Sequence, residues 1–282
     1  MISNETLFSH DRLALFGFGL FETLLITEKG PLFMDLHWQR MNKGANLLGL
    51  KLPDESSWSR QVLNFVNQIT SQTPTTFPYA LRVTFSGGAP ETQLPSQFLL
   101  HKRLIPYTTV QYTLGIRLHL LPCPRNEQSP LVSIKSTNYV ENILAKEAAK
   151  LNNADEGLWL NTQGFVCEGT MSNLFFIKDG VLFTPSLSSG CLPGTRRQLI
   201  LELAQSLEIP TQEGLYPLSD LLSSEEIFMT NALMGVMPVR QINDFPFHIE
   251  SLGSTKSRMQ VLNLAYKNLM MKSFSSSNDF HV

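Results

Sequence analysis

The amino-acid sequence predicts an α+β fold in two domains. A chain of 282 residues is too long for one small core and suits two compact ones. Short apolar strands and amphipathic helical stretches are interspersed, and strands crowd together after residue 155. A stretch with three prolines, LPCPRNEQSP at 121–130, reads as the linker between the halves. The expected partition is a small mixed α/β domain over 1–120, the linker, and a larger β-rich domain with helices over 131–282.

In chain order, LALFGFGLFETLLIT reads as a β-rich run whose two glycines suggest a bend or a close backbone approach. Leu36, Met41, Ala45 and Leu48 then fall at roughly helical spacing. Asp54 is placed to cap a second helix through Trp58, Val62, Phe65 and Val66. Strands are expected around YALRVTF, SQFLLHK and IRLHLLP. After the linker, LVSIK reads as a strand and ENILAKEAAKLNN as a helix of good propensity. GLWLN, FVCEG, SNLFFIK and GVLFTP follow as short strands, with Asp179-Gly180 as a turn. A helix from Thr195 to Leu207 places Leu199, Leu203 and Leu207 on one face. Strands near EEIFMTNA and VMPVR lead to a last amphipathic helix, roughly Thr255 to Lys272, and a frayed tail, SFSSSNDFHV.

Composition narrows the function. The chain is 43% hydrophobic and 16% charged, with a net charge of -2. It exerts no broad attraction for nucleic acid or an anionic membrane, so the expected partner is a small molecule. Three well-separated cysteines, Cys123, Cys167 and Cys191, suit reduced thiols, and the N-terminal segment lacks the apolar core of a signal peptide. The expected location is the cytoplasm. GFGLFE at 17–22 fails as a dinucleotide fingerprint because it lacks a third glycine and opens no helix. The six histidines have no metal-ligand spacing, so no metal is expected. Neither a G-x-S-x-G elbow nor a P-loop occurs.

Four features remain, each common when taken singly. Lys135 ends the apolar run Leu131-Val132-Ser133-Ile134, where lost hydration lowers an ammonium's pKa and suits it to form a Schiff base and carry protons. Glu168 follows Val166 and Cys167 on the FVCEG strand, where a carboxylate can sit against the nitrogen of a pyridine cofactor. SSGCLPGTRRQLI sets Gly and Thr at a helix start, an anion site suited to phosphate. Arg40, on a helix of the first domain, can add a charge-assisted bond to the same phosphate.

Together, in this order, these features resemble the fold-type IV pyridoxal 5'-phosphate (PLP) enzymes. That group holds branched-chain and D-amino acid aminotransferases and 4-amino-4-deoxychorismate lyases. The resemblance runs from GFGLFETLL through HWQR, IKSTNY, EGTMSNLFFIKDGVLFTP, LPGTRR and NALMGVMPVR. It implies that Lys135 is the Schiff-base lysine and that Glu168 partners the pyridine nitrogen. It also implies that Arg40, the backbone groups of Thr195 and Arg196, and the turn at Asn231 and Ala232 hold the phosphate. Some members contact the ring hydroxyl with a tyrosine at variable spacing, so the resemblance leaves the role of Tyr139 open. A homodimer is implied as well.

Within the group, NALMGVMPV is most similar to the lyases, which release pyruvate and 4-aminobenzoate, a folate precursor. Thr23 of GLFETLL matches a threonine that lines the lyase pocket and assists proton transfer. The alternative is a class-IV aminotransferase acting on branched-chain or D-amino acids. Phe18 stands where relatives usually have aspartate, and FSGGAPETQ lacks their arginine-rich loop, so the resemblance assigns no anchor for the substrate carboxylate.

Overall fold

The computed structural model describes residues 10–72, 74–247, 249 and 257–272. These separate into two compact units: residues 10–105 with Ile134–Tyr139, and Pro106–Ser133 with Val140–Lys272. The expected linker at 121–130 lies inside the second unit. Its prolines cannot donate to a ladder, but Leu121 and Arg125 can, and their amides bond Leu158 and Leu160.

In the first unit, α1 (Arg12–Phe16) precedes β1 (Gly19–Thr27) and the short β2 (Gly30–Pro31). Two helices follow, α2 (Met34–Leu48) and α3 (Glu55–Gln72), then β3 (Tyr79–Ser86) and β4 (Phe98–Arg103). The strands form an antiparallel sheet in the order β2-β1-β3-β4. Leu13–Phe16 was expected to be strand and is helix. The Asp11 carboxylate caps it by accepting from the Leu13 amide, and Gly17, at φ 64°, closes it in the left-handed region open to glycine. Asp54 caps α3 as expected, accepting from the Ser57 amide.

Because side chains alternate along a strand, β1 sends Leu20, Glu22, Leu24 and Ile26 to one face and Phe21, Thr23 and Leu25 to the other. Leu20, Leu24 and Ile26 pair with Phe85, Leu81 and Tyr79 of β3. With Met41, Ala45, Trp58 and Val62 of the helices they build the core. The opposite face carries Phe21 beside Thr84, and Thr23 beside Arg82, with His101 of β4 next in line.

The second unit opens with α4 (Thr109–Leu114), which the sequence reading did not anticipate, and β5 (Ile116–Leu120). After the loop come α5 (Val140–Leu151), β6 (Glu156–Leu160), β7 (Val166–Gly169), β8 (Asn173–Lys178) and β9 (Val181–Pro185). Then follow α6 (Thr195–Ser206), β10 (Thr211–Gly214), α7 (Leu218–Leu222), β11 (Glu226–Asn231), β12 (Gly235–Ile242), β13 (Phe245–Pro246) and α8 (Arg258–Lys272). One sheet runs β10-β9-β8-β11-β12-β5-β6-β7, with β13 on β12. It curls until β7 returns beside β8, where the Gly169 amide bonds the Ser172 carbonyl. Leu158, Leu174, Phe176, Met229 and Met237 fill its core.

Two further expectations are corrected. LVSIK is not a strand: Pro130–Ser133 form a 3-10 turn, closed by the Ser133 hydroxyl on the Pro130 carbonyl. Helix α6 does not bury a leucine stripe, since Leu207 is exposed and Arg196, Arg197, Leu199, Ile200 and Ala204 are buried. The tail SFSSSNDFHV and the start of the last helix lie outside the described residues.

Candidate active site

Lys135 belongs to the first unit. Its segment lies along β1: the Phe21 amide donates to the Lys135 carbonyl at 3.0 Å, and the Thr137 amide donates to Gly19 at 2.9 Å. A side chain at Gly19 would put its Cβ 2.7 Å from the Phe85 carbonyl oxygen, so the close approach needs glycine. The Lys135 Nζ sits 4.4 Å from the Phe21 ring centre and 5.4 Å from that of Tyr139. The two rings meet edge to face at 5.1 Å. Arg82 stacks its guanidinium on Phe21 as well, 3.7 Å from the ring centre.

One sheet face therefore gathers Phe21, Thr23, Arg82 and His101, with Lys135 on the Phe21 ring. Burial and the charge of Arg103 weaken the hold of Arg82 on its proton, and Tyr139 counters them. No carboxylate forms an ion pair with Arg82 or Arg103 among the described residues. This face is suited to an anionic ligand.

Arg40 lies on the other side of β1. Its Nε and Nη2 donate to the two oxygens of Glu22 at 2.8 and 2.6 Å, and His37 Nδ1 stands 2.6 Å from the same carboxylate. Glu22 and His37 are fully buried. Burial alone raises the Glu22 carboxyl, but the charges and hydrogen bonds of Arg40 and His37 outweigh it and bring it down to about 2. The bidentate pairing fixes the guanidinium in one orientation.

The remaining site residues lie in the second unit. Glu168 ends β7 as a buried carboxylate; its Oε2 accepts from the Leu192 amide at 2.9 Å and lies 3.5 Å from Asn173 Nδ2. Asn173 also donates to the Leu192 carbonyl, tying β8 to the loop before α6. A Cβ at Gly194 would fall 1.9 Å from Asn173 Oδ1, so only glycine lets the loop pass this closely. Thr195, Arg196 and Arg197 then supply the first three amides of α6, which a helix cannot pair internally.

The Arg196 guanidinium bonds Tyr266 Oη at 2.9 Å and the Ala232 carbonyl at 3.3 Å. It anchors the β11–β12 turn to the start of α6. Asn231 shapes that turn, its Oδ1 accepting from the amides of Leu233 and Met234, both at 2.9 Å. The structure thus brings Thr195, Arg196, Asn231 and Ala232 together and links Glu168 to them through Asn173. A pyridine ring bearing a phosphate fits this chemistry: amides and a helix dipole at one end, a buried carboxylate at the other. The neighbouring thiols are no nucleophiles. Burial and the Glu168 charge push Cys191 up to about 12, and Cys167 is raised likewise.

Sequence reasoning missed Glu22, Arg82, Asn173 and Arg125. A signal existed for the first two, each a lone charge inside an otherwise apolar strand, GLFETLLIT or YALRVTF. A charge on a half-buried strand must be paired or employed.

The curled sheet with its helices is the architecture of a fold-type IV PLP-dependent enzyme. The profile of the family described as Amino-transferase class IV matches residues 19–242, and the chain belongs to this family. An aminodeoxychorismate lyase from Vibrio harveyi is 30% identical over 89% of this chain and 93% of its own length. The crystal structure of 4-amino-4-deoxychorismate lyase from Pseudomonas aeruginosa superposes with a TM-score of 0.80 at 25% identity, covering 92% of this chain and 94% of that one. A branched-chain-amino-acid aminotransferase from Escherichia coli is 33% identical, over 46% of this chain and 42% of its own.

The depressed carboxyl of Glu22 makes stability depend on pH. In the unfolded chain it takes up a proton near 4.5, in the folded protein only near 2. Its contribution is therefore complete above about pH 4.5 and fades as pH falls toward 2. Glu22→Gln is expected to lose on the order of 3 kcal/mol at neutral pH. Urea titrations of both proteins should converge as the solution is acidified; a gap independent of pH would contradict this account.

Proposed function

We propose that this enzyme is a 4-amino-4-deoxychorismate lyase, releasing pyruvate and leaving 4-aminobenzoate for folate synthesis. The observation that carries the reading is the cationic sheet face, where Lys135 and Arg82 share the Phe21 ring with His101 and Arg103 nearby. The lyase substrate is a cyclic amine with two carboxylates, which such a face can neutralise. A branched-chain amino acid offers one carboxylate and an apolar side chain. The full-length likeness to lyases supports the same choice.

Bound PLP supplies an electron sink for charge developing on the amine-bearing carbon. Lys135 would hold the cofactor through its Nζ; once the substrate amine has displaced it, the freed Lys135 amine would remove the proton from that carbon. Thr23, on the same face of β1, assists the transfer. The enolpyruvyl C–O bond breaks as the six-membered ring becomes aromatic, so the protein mainly supplies position and proton transfer. Glu168 keeps the pyridine nitrogen protonated. The amides of Thr195 and Arg196, the turn at Asn231 and Ala232, and Arg40 hold the phosphate. Arg82 takes a substrate carboxylate, the anchor that the sequence did not identify.

The partial match to a branched-chain aminotransferase keeps a second reading open, amino transfer to 2-oxo acids. Two assays in parallel separate them. One follows 4-aminobenzoate from chorismate and glutamine with an aminodeoxychorismate synthase. The other follows transfer from D-alanine, L-glutamate or L-leucine. Aromatic product without appreciable transfer is expected; strong transfer without 4-aminobenzoate would reject the lyase. Arg82→Met should raise the lyase KM about ten-fold or more while kcat falls less. An unchanged KM would remove Arg82 from the anchor role.

A cytoplasmic homodimer completes the reading. Among the described residues no helix is long and apolar enough to cross a membrane. Helix α5 exposes Val140, Ile143, Leu144 and Leu151 along one side, an apolar stripe suited to a second subunit. Sedimentation should give a dimer for the wild type and a monomer for an Ile143→Asp, Leu144→Asp double variant. A monomeric wild type would dismiss the assembly.

A further inference from the structure

We propose that Arg125 is a positioning residue that keeps Glu168 ionised and thereby holds the proton on the cofactor's ring nitrogen. The inference rests on the reading of Glu168 as that nitrogen's partner. Arg125 lies in the loop that the sequence offered as a linker.

Glu168 is almost wholly out of water, with 6% of its side chain exposed. Its Oε2 accepts from the Leu192 amide and lies farther from the Asn173 amide, both neutral donors. The other oxygen, Oε1, faces Arg125 Nη2 at 3.8 Å. That separation is too long for a directional hydrogen bond, so Arg125 acts on the carboxylate through its charge. The Glu168 charge also reaches the thiols of Cys167 and Cys191, which stay protonated. Glu156 is bound to Lys146 and to the Thr170 backbone amide. Glu141 meets Arg125 itself at 2.6 Å.

Arg125 cannot easily swing away. Its Nη1 is held by Glu141, its guanidinium stacks 4.7 Å from the Trp159 ring centre, and its backbone amide donates to Leu160 at 2.8 Å. A buried carboxylate without such a cation takes up a proton. The consequence is specific. When Glu168 meets a pyridine nitrogen, one proton is shared between oxygen and nitrogen. A cation beside the carboxylate favours the charged pair, with the proton on nitrogen. Without that cation the proton moves to oxygen, and the ring loses its positive charge.

The test uses holoenzyme loaded with PLP labelled with nitrogen-15 in the ring, whose chemical shift separates pyridinium from neutral pyridine. Spectra are taken from about pH 6 to about pH 9. Wild type and Arg125→Lys are expected to keep the pyridinium shift throughout. Arg125→Met and Arg125→Gln are expected to show the neutral shift, or to titrate to it inside that window, so failure of one to fold leaves the other. Glu141→Gln removes the far partner of Arg125 and should keep the pyridinium shift. A folded Arg125→Met or Arg125→Gln that matches wild type at every pH would overturn the proposal. So would a Glu141→Gln protein that moves the signal as far, because the effect would then be one of packing. Glu168→Gln separates the two levels of the argument. A neutral ring in that variant supports the partner assignment, whereas an unchanged ring discards it and the role of Arg125 with it.

Discussion

Alternation along β1 decides which groups in the first unit can meet. Neighbouring residues Phe21, Glu22 and Thr23 point to opposite faces, so one strand serves two environments. Glu22 enters the helix-covered side and must be paired there, because an isolated carboxylate would cost several kcal/mol. Arg40 and His37, one helical turn apart on α2, meet that need. Phe21 and Thr23 are left to the other side, where Lys135 and Arg82 lie against the same ring. A one-residue slip would bury Phe21 among the helices and expel Glu22 from its partners.

The second unit answers a different constraint, the need to leave helix amides available without leaving a loop adrift. Gly194 passes against Asn173, and Asn173 holds both the loop and the neighbourhood of Glu168. Arg196 spends its buried charge on the Ala232 carbonyl and Tyr266, which fixes the β11–β12 turn. The side chain so placed is a brace, while the backbone amide of the same residue is one that the first turn of α6 cannot pair internally. Arg125 extends this economy of buried charge, standing between Glu141 and Glu168 with an aromatic ring beneath it.

Local patterns carried far in this chain. Asp54 and the apolar spacing behind it announced α3, and Asp179-Gly180 announced the β8–β9 turn, where both residues adopt positive φ. The motif order offered Lys135, Glu168 and the helix start as candidates, and Glu168 does lie on a buried strand while Thr195 does begin α6. Where reading failed, a local signal competed with a distant one. Leu13–Phe16 have strand-like composition, yet the Asp11 cap and Gly17 made a helix of them. LVSIK is apolar enough for a strand, but Pro130 and the Ser133 hydroxyl turned it, leaving Lys135 to lie along β1.

The sequence by itself determined most of the elements and the resemblance to the family, and it offered Lys135, Glu168, Arg40 and the helix start at Thr195 as candidates. Each of these rests on contacts within a few residues or on a motif that survives as a string. Only the tertiary structure decided that Arg40 is locked by Glu22, that Arg82 shares a ring with Lys135, and that Arg125 faces Glu168. Those partners lie 18, about 50 and about 40 residues apart in the chain. Strand register and chain crossing bring them together, and neither can be read from the order of the letters.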